Sequence, residues 1–145
     1  MISIFRTAWE KDGDRLGALR RAVFVVEQNV PEELEWDEFD AQAIHFACED
    51  NKHQIVATAR LVIDGKKATI GRLCVAAPYR HQKIATRLMQ EILSYCRELR
   101  VRMVELHAQL YLQAFYERCG FTALGEIYLE AGIKHITMQR SPHSG

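Results

Sequence analysis

The sequence predicts one α/β domain, built on a mixed and mostly antiparallel central sheet with helices on both faces. Three observations predict it. Strand-like runs separated by tight turns follow one another from Ala43 to Val75, the pattern of an antiparallel meander. A strand, a basic turn and a long amphipathic segment then occupy Ile70 to Leu99, and Val101 to Ala108 reads as a further strand; strand, helix, strand in this order implies a right-handed crossover with parallel pairing. Finally, 145 residues is the length of a single domain, 1–145 with a core of about 5–140, that buries about 70% of the surface its unfolded chain exposes.

The elements follow in order. Ile2, Ile4 and the stretch Arg6 to Ala8 give a short alternating strand, and Asp12-Gly13-Asp14 punctuates the chain before a helix whose stripe is Leu16, Leu19, Arg20, Val23 and Phe24. The segment Phe24 to Val26, with its two valines, is expected to leave that helix. Glu27-Gln28-Asn29-Val30-Pro31 is a turn-rich exit into the one long charge run, Glu32, Glu33, Glu35, Asp37, Glu38 and Asp40. Ala43 to Cys48 and Gln54 to Ile63 are strands joined by a turn at Asp50-Asn51-Lys52-His53, and Asp64-Gly65 is a hairpin signal. In the next strand Leu73 and Val75 alternate with Arg72 and Cys74, which suits one buried face, and Pro78 ends it because proline cannot donate to a ladder. From Lys83, the residues Ile84, Leu88, Met89, Ile92, Leu93, Cys96 and Leu99 recur at helical spacing, with polar residues on the other side. Leu110, Leu112, Phe115, Tyr116 and Cys119 then form a short helix closed by Gly120. Phe121 to Leu124 and Ile133 to Met138 are the last strands, and the tail from Arg140 to Gly145 is expected to fray.

Composition excludes several classes of function. With 19 basic and 19 acidic residues, nothing global steers the chain toward nucleic acid or an anionic membrane. Cys48, Cys74, Cys96 and Cys119 lie far apart inside apolar patterns, with no clustered histidines, so they read as buried reduced thiols and not as a metal site. The first residues lack the apolar core of a leader, and no stretch approaches the roughly 20 apolar residues of a membrane span. A cytoplasmic protein is expected, and dimerisation stays open.

Chemistry concentrates in the basic turn. A helix starting near Lys83 leaves its first N–H groups unpaired and points its positive end at a turn carrying Arg80, His81 and Lys83. Such a turn suits a phosphate, although a solvated turn capping a core helix has the same composition.

Arg80-His81-Gln82-Lys83-Ile84-Ala85, after a strand ending in Val75 and a Pro-containing turn, resembles the cofactor motif of the GNAT acetyltransferase superfamily, Arg/Gln-x-x-Gly-x-Gly/Ala opening a helix. Lys83 stands where that family usually has glycine, and its N–H can still face an anion if φ stays negative; Pro78 sits one residue late. Gln113-Ala114-Phe115-Tyr116-Glu117-Arg118-Cys119-Gly120-Phe121 resembles the second motif. Leu19-Arg20-x-x-Val23-Phe24-Val25-x-Glu27-Gln28-x-Val30-Pro31, continued by Glu35-x-Asp37-x-x-Asp40-x-x-Ala43-x-His45, is similar to the ElaA-like branch. The resemblance implies a sheet splayed at the cofactor site and acetyl-CoA as cosubstrate. It implies contacts from Leu73, Cys74 and Val75, whose strand would pair with the pantetheine arm, and from Arg80, His81, Gln82, Lys83, Ile84, Ala85, Thr86 and Gln109. It makes Tyr116 the acid that protonates the departing thiolate, and a backbone N–H near Val75 the group that polarises the carbonyl.

The base is less determined. A lysine-like amine, with a pKa of about 10.4, must lose a proton before it attacks. Glu27 is the first candidate, with His107, Glu126, Glu130 and His135 as others, while His45 reads as structural. The run Glu32 to Asp40 would draw in a cationic amine or simply be solvated. The implied function is N-acetylation of a primary amine, without nucleic-acid or membrane partners. The alternative is a non-catalytic module of the same fold that senses an acyl-CoA.

Overall fold

Alternating apolar side chains turn seven segments into strands of one sheet within residues 2–143, the part of the chain that the computed structural model describes. Of the tail expected to fray from Arg140 to Gly145, Arg140 ends the last strand, paired with Val104, and the Pro142 carbonyl accepts from Arg97 at 3.0 Å, while Ser144 and Gly145 lie outside the described residues. The strands are β1 (Ser3–Thr7), β2 (Ile44–Glu49), β3 (Ile55–Asp64), β4 (Lys67–Val75), β5 (Met103–Gln109), β6 (Thr122–Glu130) and β7 (Ile133–Arg140). Their order across the sheet is β1-β2-β3-β4-β5-β7-β6. All neighbours pair antiparallel except β4 and β5, which are parallel and joined through helix α3 (Ile84–Glu98). The expected mixed, mostly antiparallel sheet is present.

Helix α3 buries Ile84, Leu88, Met89, Ile92, Leu93 and Cys96 against one face of this sheet, where they meet Phe46, Ala59, Leu61, Ile70, Val104, Leu106 and Met138. At about 1.5–3 kcal/mol for each large aliphatic side chain taken out of water, this contact dominates the stability of the crossover. A short helix α4 (Gln113–Arg118) packs Tyr116 into the same core. On the opposite face, α1 (Trp9–Arg20) and the segment after it bring Leu19, Val23, Phe24 and Val30 onto Cys74. No described helix is long and apolar enough to cross a membrane.

Two features differ from the sequence reading of the first helix. It begins at Trp9 and runs through Gly13, because Gly13 makes room for a ring: a Cβ there would lie 3.0 Å from atoms of the Trp9 indole. Nor does the chain leave the helix at Phe24. It widens into a π-helix over Arg21–Glu27, closed by Gln28 N–H donating to the Val23 carbonyl at 3.1 Å, and so carries the helix on to Glu27.

The sheet opens where β4 and β5 meet. Their pairing runs from Lys67↔Met103 to Ile70↔Leu106 and stops there, although β4 continues to Val75 and β5 to Gln109. Past that point β5 is held by β7, through Ala108↔Ile136 and Gln109↔His135, while β4 stays with β3 through Ala57↔Val75. The parting leaves backbone N–H and C=O groups of Gly71 to Val75 without a strand partner on the β5 side.

Candidate active site

The end of β4 carries a bulge. Arg60 pairs with Gly71 and Thr58 with Cys74, so Arg72 and Leu73 together face one residue, Ala59, and Arg72 adopts φ +53. The extra residue changes which side chains face which core. Ala68 and Ile70 point at α3, and beyond the bulge Leu73 and Val75 do so, half-buried, while Cys74 turns to the α1 side and is buried there. Strict alternation would have put Cys74 with Ile70. Burial pushes the Cys74 thiol up to about 12, so it is an inert packing group. Its side chain faces away from the α3 side.

The basic turn follows at once. Ala76 N–H donates to the Val56 carbonyl at 2.8 Å, a 3₁₀ turn spans Ala77–Tyr79, and the Tyr79 hydroxyl donates to Asp50 at 2.8 Å, tying the turn to the β2–β3 loop. His81 and Lys83 take φ +65 and +62. Lys83 thus adopts the left-handed conformation of the glycine it replaces, which corrects the expected negative φ; the backbone path is kept at a cost of about 1 kcal/mol for a side chain in that region. Helix α3 starts on the next residue, so the N–H groups of Ile84, Ala85 and Thr86 have no carbonyl within the helix. The side chains of His81, Gln82 and Lys83 are exposed around them, Gln82 reaching back to the Pro78 carbonyl at 3.3 Å.

Arg80 is placed differently from its neighbours. Its Nε donates to the Val75 carbonyl at 2.9 Å and its two terminal nitrogens donate to Glu27, each at 2.8 Å. Glu27, the first candidate base, is therefore a fixed anion: the Arg80 hydrogen bonds hold its pKa below the usual carboxylate value, the wrong direction for proton abstraction near neutral pH. Gln109, expected to meet cofactor or acceptor, donates to Gln28 Oε1 at 2.8 Å and ties β5 to the end of the π-helix.

Glu35, Asp37 and Asp40 of the acidic run are paired with arginines of the protein itself, while Glu33 and Glu38 are exposed. Arg20, 1% exposed, donates to Glu35 at 2.8 Å and to Asp40 at 2.7 Å; Arg60 donates to Asp37 at 2.6 Å and to Asp40 at 2.9 Å. Arg72 reaches from the bulge to Glu35 at 3.2 Å and Asp37 at 3.3 Å. Glu32 pairs with exposed Arg21 at 3.0 Å. Glu35 to Asp40 is thus an anchor that fastens the α1–β2 connection, with its one-turn helix α2 (Glu32–Glu35), to the β4 bulge. This replaces the expected amine-recruiting rim, since charges paired at this range have little field left for a distant cation. The Asp40 carbonyl also fixes buried His45 through Nε2 at 2.9 Å, the structural role expected for that residue.

Tyr116 lies on α4, buried between the rings of Phe115 and Phe121 at 5.1 and 6.1 Å. Burial raises its pKa above that of free tyrosine, so the phenol keeps its proton.

A group that sequence reading treated one residue at a time comes together on the α1 side of the opening. His107 follows Leu106, the last β5 residue paired with β4, and points away from the core that holds Leu106 and Ala108. Its Nδ1 is 3.8 Å from Glu130 Oε1 and its Nε2 3.5 Å from Glu105 Oε2. Glu130 Oε2 is 3.6 Å from Nε2 of His135. Tyr128 stacks on His135 at 5.9 Å and meets His107 edge-on at 6.1 Å.

This fold and turn define a class. Residues 10–142 match the family described as the Acetyltransferase (GNAT) domain, and the chain belongs to that family. Within it the chain falls in the ElaA-like branch. Protein ElaA of Escherichia coli is 38% identical over 127 residues, spanning 84% of this chain and 82% of that protein. The crystal structure of Escherichia coli ElaA superposes with a TM-score of 0.87 at 33% identity, covering 97% of this chain and 100% of that one. An acyl-CoA N-acyltransferase from Pseudomonas aeruginosa superposes with a TM-score of 0.88 at 32% identity over 97% of this chain and 100% of its own.

Proposed function

We propose that this chain transfers the acetyl group of acetyl-CoA to a primary amine by direct attack. The observation that carries the reading is the parting of β4 from β5 beyond Ile70 and Leu106, directly before a left-handed turn that opens a 15-residue helix. The unpaired N–H groups of Ile84, Ala85 and Thr86, with the exposed turn before them, fit a pyrophosphate. The open edge of Leu73 to Val75 fits the amide-bearing pantetheine arm, as an added strand, and offers N–H donors to a thioester carbonyl. Tyr116 is the proton source for the departing sulfur, and its high pKa keeps the proton available until a thiolate forms. Arg80 serves the turn by fixing the Val75 carbonyl and Glu27. The four free cysteines suit a reducing compartment such as the cytoplasm.

A second reading, a non-catalytic acyl-CoA sensor of the same fold, is favoured by one observation. The Glu27–Arg80 pair takes the first candidate base and the first cation of the turn out of play together. Thiol release from acetyl-CoA in the presence of amines separates the two readings: an enzyme releases thiol in step with amide, a sensor binds and releases none.

A further inference from the structure

Glu130 sits among acceptors that lack hydrogens. His135 Nδ1 lies 2.7 Å from the Ile133 carbonyl oxygen; a carbonyl only accepts, so Nδ1 carries a hydrogen. The ring's Nε2 faces Glu130 Oε2 at 3.6 Å. Glu105 is held by Gln139 at 2.8 Å and Lys67 at 3.1 Å, and its Oε2 faces His107 Nε2 at 3.5 Å, which favours a hydrogen on that nitrogen. The free lone pair of His107 is then on Nδ1, and it faces Glu130 Oε1 at 3.8 Å. With both rings neutral, both sides of Glu130 set acceptor against acceptor, at 3.6 and 3.8 Å; a proton on His107 turns one of these contacts into an ion pair with Glu130. A primary ammonium is the complementary group: it carries three donors and no acceptor, and a nitrogen set to one side of two acceptors 3.8 Å apart can lie about 2.9 Å from each.

Resting on the acetyl-transfer reading above, we infer that Glu130 seats the acceptor ammonium and that His107 is the general base that takes its proton. His107 is placed for this, one residue into the opening where β5 has left β4 and on the face away from α3. The groups around it are Glu105 on its own strand, Glu130 and Tyr128 from β6, and His135 from β7; Lys67 of β4 acts through Glu105, and the Arg72 charge reaches Glu130. Glu130 is the main cause that raises the His107 pKa above the ordinary histidine value, against burial, with Glu105 adding to it. A base so tuned titrates closer to neutral pH, where general bases are most effective.

In the step itself the ammonium gives one proton to His107 Nδ1, and the lone pair so freed forms the C–N bond at the thioester carbon. The C–S bond breaks and the sulfur leaves with the bonding pair. Tyr116 gives that sulfur a proton and regains one from the acylated nitrogen. His107 returns its proton to water, so that ammonium and thioester yield amide, thiol and one proton.

The test uses the full chain with acetyl-CoA and three amines: n-butylamine, spermidine and a lysine-containing peptide. For the fastest of these, kcat/KM is followed from about pH 5 to about pH 9 by thiol release, in the wild type, His107→Gln and Glu130→Gln, a range of about two units either side of neutrality. The expected result is that His107→Gln lowers the plateau at least about tenfold and removes the acid limb assigned to the imidazole. Glu130→Gln keeps that limb but moves it to lower pH, because the charge that raised the imidazole pKa is gone, and raises the KM for the amine more than it lowers kcat. A His107→Gln profile that coincides with the wild type overturns the inference while the acetyl-transfer reading stands. If no amine releases thiol, that reading fails, and NMR of the histidine rings decides the site alone. n-Butylammonium should then shift both His107 and His135 in the wild type and neither in Glu130→Gln; rings that do not respond overturn it.

Discussion

Arg80 grips Glu27 through two hydrogen bonds of 2.8 Å, so the first basic residue of the cofactor turn and the glutamate at the end of the π-helix form one rigid unit. The same arginine holds the Val75 carbonyl at 2.9 Å. Strand end, turn and π-helix are thereby locked to one another beside the opening of the sheet. Glu27→Gln should leave the pH profile of turnover in place, because a carboxylate held at low pKa is not the base. It should loosen the turn and change the acetyl-CoA Kd by roughly threefold or more, the loss of one charge-assisted bond. Calorimetric titration checks the affinity; loss of the pH limb in this variant would return Glu27 to the catalytic step.

Tyr116→Phe keeps the ring that packs between Phe115 and Phe121 and removes only the hydroxyl. Turnover should fall by roughly ten- to a thousandfold with the acetyl-CoA Kd unchanged within about threefold. Single-turnover thiol release measures the first and calorimetry the second. Unchanged turnover would make Tyr116 a core tyrosine and water the proton source.

Lys83 sits at φ +62, which glycine accepts freely and a β-branched residue accepts worst. Lys83→Gly relieves strain but frees the unfolded chain, two effects of about 1 kcal/mol each and of opposite sign, so stability should move little. Lys83→Val should cost about 1 kcal/mol or more. Urea unfolding of the two variants checks the contrast, and equal midpoints would argue that the turn relaxes to negative φ in solution.

The Arg20–Glu35–Asp40–Arg60–Asp37 network, buried except at Asp37, predicts a pH dependence with two opposing parts. Burial opposes the charges of Asp37 and Asp40, but hydrogen bonds from Arg60, and for Asp40 also from Arg20, outweigh it and depress both pKa values below 3.8. Their contribution is complete above the unfolded value and is lost as pH falls through the depressed one. Burial raises Glu35 above 4.5 despite Arg72 and Arg20, so its contribution has the other sign, present below the unfolded value and lost as pH rises through the raised one. The wild type should lose stability steeply below about pH 4, and Asp37→Asn/Asp40→Asn, less stable at pH 7, should lose less there. Arg20→Met should cost about 1.5–3 kcal/mol, since it takes charged hydrogen bonds from two buried carboxylates that still keep Arg72 and Arg60. Urea titrations from about pH 3 to about pH 7, which span the carboxylate transitions, measure all three. Parallel curves for wild type and double variant would place the ionic contribution elsewhere.

Much of this was legible in the sequence. The meander, the crossover and the amphipathic α3 follow from periods of two and of three to four, and the two motif blocks pointed to the opening and to α4. What escaped is what local pattern does not encode. The bulge at Arg72 adds one residue and exchanges the faces of Cys74 and Leu73, which strict alternation hides. Lys83 copies a glycine conformation that its own propensity disfavours. Arg20 stood inside the apolar stripe Leu16, Leu19, Val23, and an arginine on a buried face implies buried acids; read that way, it would have turned the acidic run from a rim into an anchor. His107, Glu130 and His135 become one site only through the pairing of β5, β7 and β6, a juxtaposition fixed by tertiary structure.

The central claim, chemistry at the opening between β4 and β5, is tested most directly by incubating the wild type with acetyl-CoA and the same three amines, and following thiol by colour reaction and acetylated amine by mass spectrometry. Thiol and acetylated amine should appear in equal amounts, at a rate that Tyr116→Phe depresses. Acetyl-CoA that binds to the turn and yields neither product with any of them would contradict the claim and leave a sensor.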